Sequence, residues 1–368
     1  MNINIKRELL LPALQRANNV IERRQTIPIL SNVLIKCDAQ RMSVTASDTE
    51  VEVVSFVDLG STAKKEVALP AKKLFDICRE LPEKIDMKLE LLSDKAKIKS
   101  GRSRFTLAIS SGTEFPYIGE FDVLNRVNVS ANEMKGLIEK TDFAMASQDV
   151  RHYLNGLLLE FAPSSIRTVA TDGHRLALME KNKKSDVKSN GQVIIPRKGI
   201  LEISRLLAGR DKNEDVVLEI GANHLRLSVD DASLTTKLLE GNFPDYSKVI
   251  PDEGESPIIV DRDTLKGGIN RASVLSSDRN PLIRMTFTKG LLTLSGNNHE
   301  QEEAVEEIEV EYNGQEMEVG FNVSYLLDIL GVIPDPQVRI DINSPDSSCL
   351  ITNPGKPEIQ YVVMPMRI

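Results

Sequence analysis

The stretch VALPAKKL (67–74) is typical of a β-strand that runs directly into a helix. Three apolar residues precede a proline, and proline is favoured where helices begin. The pattern returns as VIIPRKGI (193–200) and as VGFNVSYL (319–326), where Asn takes the place of proline as a helix cap. The interval is about 125 residues, which is the size of a domain rather than of a solenoid repeat.

Three further landmarks recur in the same order around this junction. Each repeat opens with a short apolar strand followed by apolar residues at helical spacing. An alternating segment later stops at a turn-forming Asp or Asn, and each repeat ends on an apolar residue followed by proline. The openings are 3–5, 127–129 and 258–260, the turns follow 44–48, 169–172 and 292–297, and the ends are Phe115-Pro116, Phe243-Pro244 and Met364-Pro365.

These landmarks predict three domains that fill the chain. The expected boundaries lie near Asn125 and Ile250, so that the domains are 1–125, 126–251 and 252–368. Each domain would contain two helices packed on antiparallel sheets with about eight strands in all. The predicted fold class is therefore α+β.

The composition is typical of a soluble intracellular protein. Hydrophobic residues make up 41% of the chain, yet no long apolar run predicts a membrane span, and the N-terminus lacks the apolar core of a signal peptide. We therefore expect a cytoplasmic protein without membrane contact. Cys37, Cys78 and Cys349 lie far apart in apolar surroundings and without zinc-site spacing, so they are interpreted as core thiols.

The charge distribution bears on a nucleic-acid partner. The net charge of -8 argues against one, because phosphate contacts need basic side chains. However, Lys and Arg recur on the predicted helices, while acids concentrate in 300–311. If corresponding helices face one way, a basic surface can exist on an acidic molecule. The alternative is that these charges are ordinary solvated helix faces.

The segment TVATDGHRLAL (168–178) is the most suggestive chemically. Asp172 and His174 could form part of the centre of a metal-dependent hydrolase, although no nucleophile or further ligand set accompanies them. A hairpin explains the same residues, because Asp172-Gly173 is a strong turn dipeptide between two alternating runs. A third possibility is a repeat-built scaffold that does not bind DNA, which would leave the helix-borne Lys and Arg without a role.

Several long motifs carry a resemblance to a known family. They are TVATDGHRLA (168–177), QDVRHYLNG (148–156), IPRKGI (195–200), GNFPDY (241–246), EMEVGFNVSYLLDIL (316–330) and YVVMPMRI (361–368). Together they resemble the bacterial DNA polymerase III beta subunit, the sliding clamp family. The resemblance covers all three repeats, and ordered motifs of this length are far more specific than a single short pattern.

The resemblance implies an assembly and a set of partners. It implies a head-to-tail homodimer whose six clamp domains form a ring, with helices lining the hole, and a processivity factor without a catalytic site, metal or cofactor. The implied partners are double-stranded DNA without sequence preference, the DNA polymerase III alpha subunit and the clamp loader complex. Other DNA polymerases and repair proteins would bind through short linear motifs.

The resemblance also implies three sets of site residues. The DNA-facing set is Arg24, Gln148, Tyr153 and Lys198. The peptide-binding groove comprises Leu154, Thr171, Gly173, His174, Arg175, Leu176, Pro244, Lys248, Val249, Ser348, Val362, Met364, Pro365, Met366 and Arg367. The dimer interface pairs Lys73, Arg102, Arg104 and Phe105 of one subunit with Val274, Leu275, Glu300, Glu302 and Glu303 of the other.

Overall fold

The computed structural model describes residues 2–22, 27–38, 41–59, 64–184, 187, 189–276, 281–298 and 300–368. The chain forms two compact units. The first unit comprises Met1–Met134 and Lys198–Leu238, and the second comprises Lys135–Arg197 and Leu239–Ile368. Each unit contains two antiparallel sheets.

The described residues contain six α-helices, two in each repeat. They are α1 (Arg7–Val20), α2 (Ala71–Glu80), α3 (Ala131–Glu139), α4 (Arg197–Leu207), α5 (Arg262–Ala272) and α6 (Val323–Val332). The three predicted strand-to-helix junctions are confirmed, since α2, α4 and α6 each follow a strand directly. Asn322 caps α6 as expected, because its side chain accepts hydrogen bonds from the N–H groups of Ser324 and Tyr325.

The strands follow the repeats closely, with nine, eight and eight in the described ranges. The first repeat contains β1 (Asn2–Lys6), β2 (Asn32–Asp38), β3 (Arg41–Ser47), β4 (Val51–Asp58), β5 (Lys65–Pro70), β6 (Asp86–Leu91), β7 (Lys95–Ser100), β8 (Ser103–Ala108) and β9 (Ser110–Ser111). The second contains β10 (Asn125–Ser130), β11 (Gly156–Phe161), β12 (Ser165–Thr171), β13 (Arg175–Asn182), β14 (Gly191–Pro196), β15 (Asp215–Ile220), β16 (His224–Val229) and β17 (Ala232–Lys237). The third contains β18 (Ile258–Asp261), β19 (Leu282–Thr288), β20 (Leu291–Asn297), β21 (Glu303–Glu309), β22 (Met317–Asn322), β23 (Gln337–Asp341), β24 (Cys349–Asn353) and β25 (Lys356–Val363).

The first unit joins strands of the first and second repeats in one sheet. Its larger sheet has the order β10-β15-β16-β17-β4-β3-β2-β5-β9, and its smaller sheet has the order β1-β6-β7-β8. The two repeats meet where β17 pairs with β4, so that Thr235 lies opposite Glu52, and Arg226 of β16 follows on the other side of Thr235. We call Glu52, Thr235 and Arg226 the polar row.

The second unit repeats this arrangement with strands of the second and third repeats. Its larger sheet has the order β14-β11-β12-β13-β25-β24-β23-β18, and its smaller sheet has the order β21-β20-β19-β22. Here β13 pairs with β25, so that Leu176 lies opposite Val362, and Leu350 of β24 follows. We call Leu176, Val362 and Leu350 the apolar row. In the equivalent strands, Leu176 occupies the position of Glu52, Val362 that of Thr235, and Leu350 that of Arg226.

The cores form as the alternation of the strands predicts. In β7, for example, Ala96 and Ile98 are buried while the intervening lysines are exposed. The three cysteines are buried and free, which confirms their interpretation as core thiols, and burial raises the pKa of Cys37 and Cys78 to about 11. In the part of the chain that the structure describes, no helix combines the length and apolarity needed to span a bilayer.

Candidate functional site

The apolar row forms the floor of one candidate site in the second unit. Leu176, Val362 and Leu350 are each 3% exposed or less. They belong to a single buried cluster that also contains Leu154 and Phe243. Three residues predicted for the groove are therefore brought together: Leu154 from the 3-10 turn His152–Leu154, Leu176 from β13 and Val362 from β25.

The rim of this cluster is partly open to solvent. Met364 is 40% exposed and Val249 is 38% exposed; Met364 comes two residues after Val362 of the cluster, and Val249 precedes Ile250, which packs against the cluster. The Met364 N–H donates to the carbonyl of His174 at 2.9 Å, which fixes the end of the chain beside the hairpin that follows β12. Pro244, Lys248, His174 and Arg367 are also exposed, whereas Ser348, Pro365 and Met366 are half-buried.

The hairpin between β12 and β13 is built from its own polar side chains. Asp172 Oδ1 accepts hydrogen bonds from the N–H groups of His174 at 2.9 Å and Arg175 at 3.0 Å. Thr171 Oγ1 accepts from the Gly173 N–H at 3.1 Å. Gly173 has a φ of 90°, and a Cβ there would lie 2.9 Å from Arg151 Nη2. These bonds agree with the hairpin interpretation of Asp172 and His174.

The side chain of Arg175 links this hairpin to neighbouring parts of the second unit. Its guanidinium donates to Asp172 Oδ2 at 3.1 Å and to Asp328 Oδ2 at 2.5 Å, and it lies over the ring of Tyr325 at 4.5 Å. A further bond reaches the carbonyl of Phe143 at 2.7 Å. The side chain is only 11% exposed, so Arg175 ties the hairpin to α6 and offers little surface to a ligand.

A charged cluster that the sequence analysis missed lies on the same sheet face. The Tyr246 hydroxyl donates to Glu160 Oε2 at 2.5 Å and accepts from Arg167 Nη1 at 2.7 Å, while Arg167 Nη2 donates to Glu180 at 2.9 Å. Burial, together with the nearby Glu160 carboxylate, raises the pKa of Tyr246 to about 12, so the hydroxyl stays protonated at neutral pH. The available signal was Glu160, the one charged residue in the otherwise apolar strand GLLLEF (156–161).

Two of the predicted DNA-facing residues lie on a well-fixed loop of the second unit. Gln148 is exposed and has a left-handed φ of 59°, and Tyr153 packs against the apolar cluster. Asp149 holds the loop by accepting from the Arg151 N–H at 2.8 Å and from its guanidinium, which lowers the pKa of Asp149 to about 2. Arg24 lies outside the described residues.

Lys198 lies in the first unit, and its charge is already compensated. Its ammonium group pairs with the carboxylates of Glu22 and Asp48. Burial opposes the charge, but the hydrogen bonds to Asp48 and Glu22 outweigh it and raise the pKa of Lys198. A phosphate at this position would therefore compete with two carboxylates for the ammonium group.

Most of the predicted interface residues lie on or just before an edge strand of one of the two smaller sheets. In the first unit, Arg104 and the half-buried Phe105 belong to the edge strand β8, with Arg102 just before it and Lys73 exposed on α2. In the second unit, Glu303 begins the edge strand β21 and follows the exposed Glu300 and Glu302. Val274 is 75% exposed in the 3-10 turn Ser273–Leu275, and Leu275 is half-buried.

Family models match the chain in three consecutive segments. The N-terminal domain of the DNA polymerase III beta subunit matches residues 1–119, the central domain matches residues 128–245, and the C-terminal domain matches residues 247–367. The chain belongs to the DNA polymerase III beta subunit family. The predicted fold class, α+β with three clamp domains, is thereby confirmed.

Individual members of this sliding clamp family are similar over their whole length. The beta sliding clamp of Pseudomonas aeruginosa is 44% identical over 369 residues, and the match covers 100% of both chains. The crystal structure of the DNA polymerase III subunit beta from that organism has a TM-score of 0.97 at 43% identity, again with 100% coverage of both chains. A second structure of the P. aeruginosa clamp, bound to griselimycin, has a TM-score of 0.96 at 43% identity and the same coverage.

Proposed function

We propose that this chain is a DNA sliding clamp that acts as a head-to-tail dimeric ring around duplex DNA. The ring tethers the replicative polymerase and recruits other replication and repair proteins, in the cytoplasm. Membership of the clamp family over all three domains supports the proposal. The structural observation that carries it is the pair of oppositely charged edge strands, β8 and β21.

These two edge strands suit each other as partners. An edge strand presents unpaired N–H and C=O groups to any second strand that can reach it. Strand β8 and the turn before it carry Arg102 and Arg104, while β21 and the turn before it carry Glu300, Glu302 and Glu303. Opposite charges that face each other across two paired strands stabilise the pairing and select the partner.

The joint that these strands would form is heterologous. It would bring β8 of one subunit against β21 of the other, with Phe105 against Val274 and Leu275, and Lys73 would add to the basic side. A heterologous joint gives a closed ring when the rotation per subunit closes after a small number of copies. Two subunits with three domains each would then form a ring of six domains.

A closed ring holds DNA by topology and needs only weak contacts. Contacts to the phosphate backbone position a protein without reading sequence, and tight ones would hinder sliding. The pairing of Lys198 with Glu22 and Asp48 fits this requirement, because it reduces the charge that is available to a phosphate. Arg24, Gln148 and Tyr153 would supply further loose contacts along the hole.

Clients would bind at the apolar row. A buried apolar floor with an exposed methionine at its rim suits short linear motifs, because methionine adapts its shape to different partners. The DNA polymerase III alpha subunit, the clamp loader and other polymerases and repair proteins would share this groove. No catalysis is proposed at Asp172 and His174, since the Asp172 carboxylate is occupied by the hairpin and by Arg175.

Retention on DNA tests the ring. The protein is loaded on a nicked circular plasmid by a bacterial clamp loader with ATP, and the plasmid is then cut by a restriction enzyme. Loss of the protein on cutting is expected, because a ring slides off free ends. Equal retention on circle and line would overturn the proposal and indicate direct binding.

Sedimentation tests the joint independently of DNA. Replacing both Val274 and Leu275 with Ala is expected to give a monomer at micromolar concentration, since it removes the apolar part of the joint. Val150→Ala is the matched control, because Val150 is 87% exposed but lies outside the proposed joint. A dimer that persists in the double variant would contradict this placement of the interface.

A further inference from the structure

The segments that connect the repeats behave differently in the two units. We call 115–121 the first connector and 243–249 the second connector; each begins with Phe-Pro after the last strand of its repeat. In the first unit, the Ile118 N–H donates to Glu52 Oε2 at 2.8 Å, and Arg226 Nη2 donates to the carbonyl of Gly119 at 2.9 Å. The guanidinium of Arg226 also lies 5.0 Å from the Phe121 ring. The first connector is therefore bound to the polar row.

The second connector cannot be held in this way. Leu176 and Leu350 occupy the positions of Glu52 and Arg226, and neither side chain can accept or donate a hydrogen bond. Ser247, Lys248 and Val249 are exposed. Instead, the second connector is held by Phe243, which is buried in the apolar cluster, and by the Tyr246 hydroxyl, which lies between Glu160 and Arg167.

This attachment point lies away from the apolar row on the same face of the sheet. In β12 and β13, Arg167 lies opposite Glu180, Val169 opposite Leu178, and Thr171 opposite Leu176. Alternate residues of a strand share a face, and four residues of antiparallel strand span about 14 Å. The Tyr246 hydroxyl therefore attaches the connector about 14 Å along the strand from the apolar row.

We propose that Tyr246, held by Glu160 and Arg167, is a positioning residue for the peptide-binding groove. It fixes the second connector at the far end of the apolar cluster, so that Val249 and Lys248 form a preset rim beside the apolar row. This inference rests on the proposed function of the groove. A rim that is already ordered avoids the entropic cost of ordering it when a client binds.

The direct test is Tyr246→Phe, which keeps the ring but removes the hydroxyl. The probe is griselimycin, the compound bound to the P. aeruginosa clamp; we propose that it binds this chain in the groove, and its affinity is measured by isothermal titration calorimetry. We expect binding about tenfold weaker, the loss that corresponds to hydrogen bonds with charged partners. Amide hydrogen exchange should rise in 245–250, while the thermal midpoint changes little.

Tyr312→Phe is the matched control in the same unit. The Tyr312 hydroxyl donates to the carbonyl of Gln315 at 2.6 Å, and its ring packs against Phe287, so the same chemical change removes a similar bond elsewhere. It should bind griselimycin as the wild type does. A second variant, Glu160→Gln, keeps an acceptor for the Tyr246 hydroxyl and should lose less affinity than Tyr246→Phe.

The outcomes separate this inference from the function on which it rests. Weaker binding and faster exchange in Tyr246→Phe alone would support the positioning role. Wild-type affinity in Tyr246→Phe, or an equal loss in Tyr312→Phe, would overturn it while leaving the groove intact. If the wild-type protein itself failed to bind griselimycin, the proposed groove would be wrong, and the positioning role would be wrong with it.

Discussion

The polar row and the apolar row occupy equivalent places and have opposite chemistry. Both lie where the second of two repeats adds a strand to the sheet of the first, β17 to β4 and β25 to β13. Glu52 and Arg226 bind the chain's own connector, whereas Leu176 and Leu350 form an apolar floor with an exposed rim. The comparison teaches that the polar row holds the chain's own connector by hydrogen bonds, whereas the apolar row, although its side chains are also buried, can offer packing only.

The two kinds of interaction explain this division of roles. Hydrogen bonds such as that from Ile118 to Glu52 are directional and each contribute about 1 kcal/mol net, so they fix one particular segment. Apolar burial is non-directional and contributes about 25 cal/mol per Å², which allows different client sequences to bind the same floor. A duplicated architecture thus holds a connector by hydrogen bonds in one unit and presents only apolar side chains at the same place in the other.

Placing a carboxylate in the apolar row should give the largest effect. Leu176→Glu copies Glu52, but Leu350 stands where Arg226 would compensate the charge. We expect the free energy of unfolding to fall by about 3 to 5 kcal/mol, as for an unpaired buried charge, and griselimycin binding to be lost. Urea denaturation measures the change, with Leu176→Met as the control for altered shape. A loss no larger than that of Leu176→Met would contradict the comparison.

Removing the cation from the polar row should have a smaller effect. Arg226→Met deprives the first connector of its bond at Gly119 and leaves Glu52 buried with less compensation. The free energy of unfolding should fall by about 2 kcal/mol. The double variant Glu52→Leu with Arg226→Met copies the apolar row and should recover part of this loss in urea denaturation. The double variant would contradict this expectation if it lost more stability than Glu52→Leu and Arg226→Met lose when their separate effects are added. Apolar residues could then not replace the polar row.

The pH dependence of stability should distinguish the two rows more subtly. Burial raises the pKa of Glu52, although the Ile118 N–H and Arg226 oppose the shift. The folded state then binds the proton more tightly than the unfolded state, so Glu52 lowers the free energy of unfolding as the pH rises from the unfolded pKa through the raised folded one. Glu52→Gln should gain relative stability over the wild type across this window. If the thermal midpoints of Glu52→Gln and of the wild type changed with pH in parallel, the raised pKa of Glu52 would be contradicted.

The smallest expected effect concerns the turns beside the rows. Asp48 Oδ1 accepts from the N–H groups of Glu50 and Val51, as Asp172 Oδ1 does from those of His174 and Arg175. Asp48→Asn keeps this turn but weakens the pair with Lys198, and should cost about 1 kcal/mol in urea denaturation. Since Lys198 is then less compensated, retention on linear DNA, which depends on direct contacts rather than on topology, should increase at low salt. Unchanged retention would argue against Lys198 as a DNA-facing residue.

The sequence predicted the local elements well. Strand-to-helix junctions such as VALPAKKL (67–74) were confirmed because cap residues and apolar spacing are local signals. The gathering of Leu154, Leu176 and Val362 in one cluster agrees with the resemblance to the clamp family. The role of this cluster in binding clients stays a prediction.

The sequence could not predict which repeats share a sheet. Alternation shows which face of a strand is buried, but it does not show which strand lies beside it. Nothing in the sequence therefore indicated that β4 pairs with β17. The cluster of Tyr246, Glu160 and Arg167 was missed because Tyr246 is distant in sequence from the other two residues. The compensation of Lys198 by Glu22 and Asp48 also depends on tertiary contacts.

A hydrogen-exchange footprint of a bound client tests the contrast between the two rows most directly. The DNA polymerase III alpha subunit from the same organism is added to the wild-type protein, and griselimycin is used as a competitor. We predict protection in 171–176 and 362–366 that griselimycin abolishes, and unchanged exchange in 47–52 and 225–236. Protection around the polar row, or none around the apolar row, would contradict the assignment of the apolar row as the site that recruits clients.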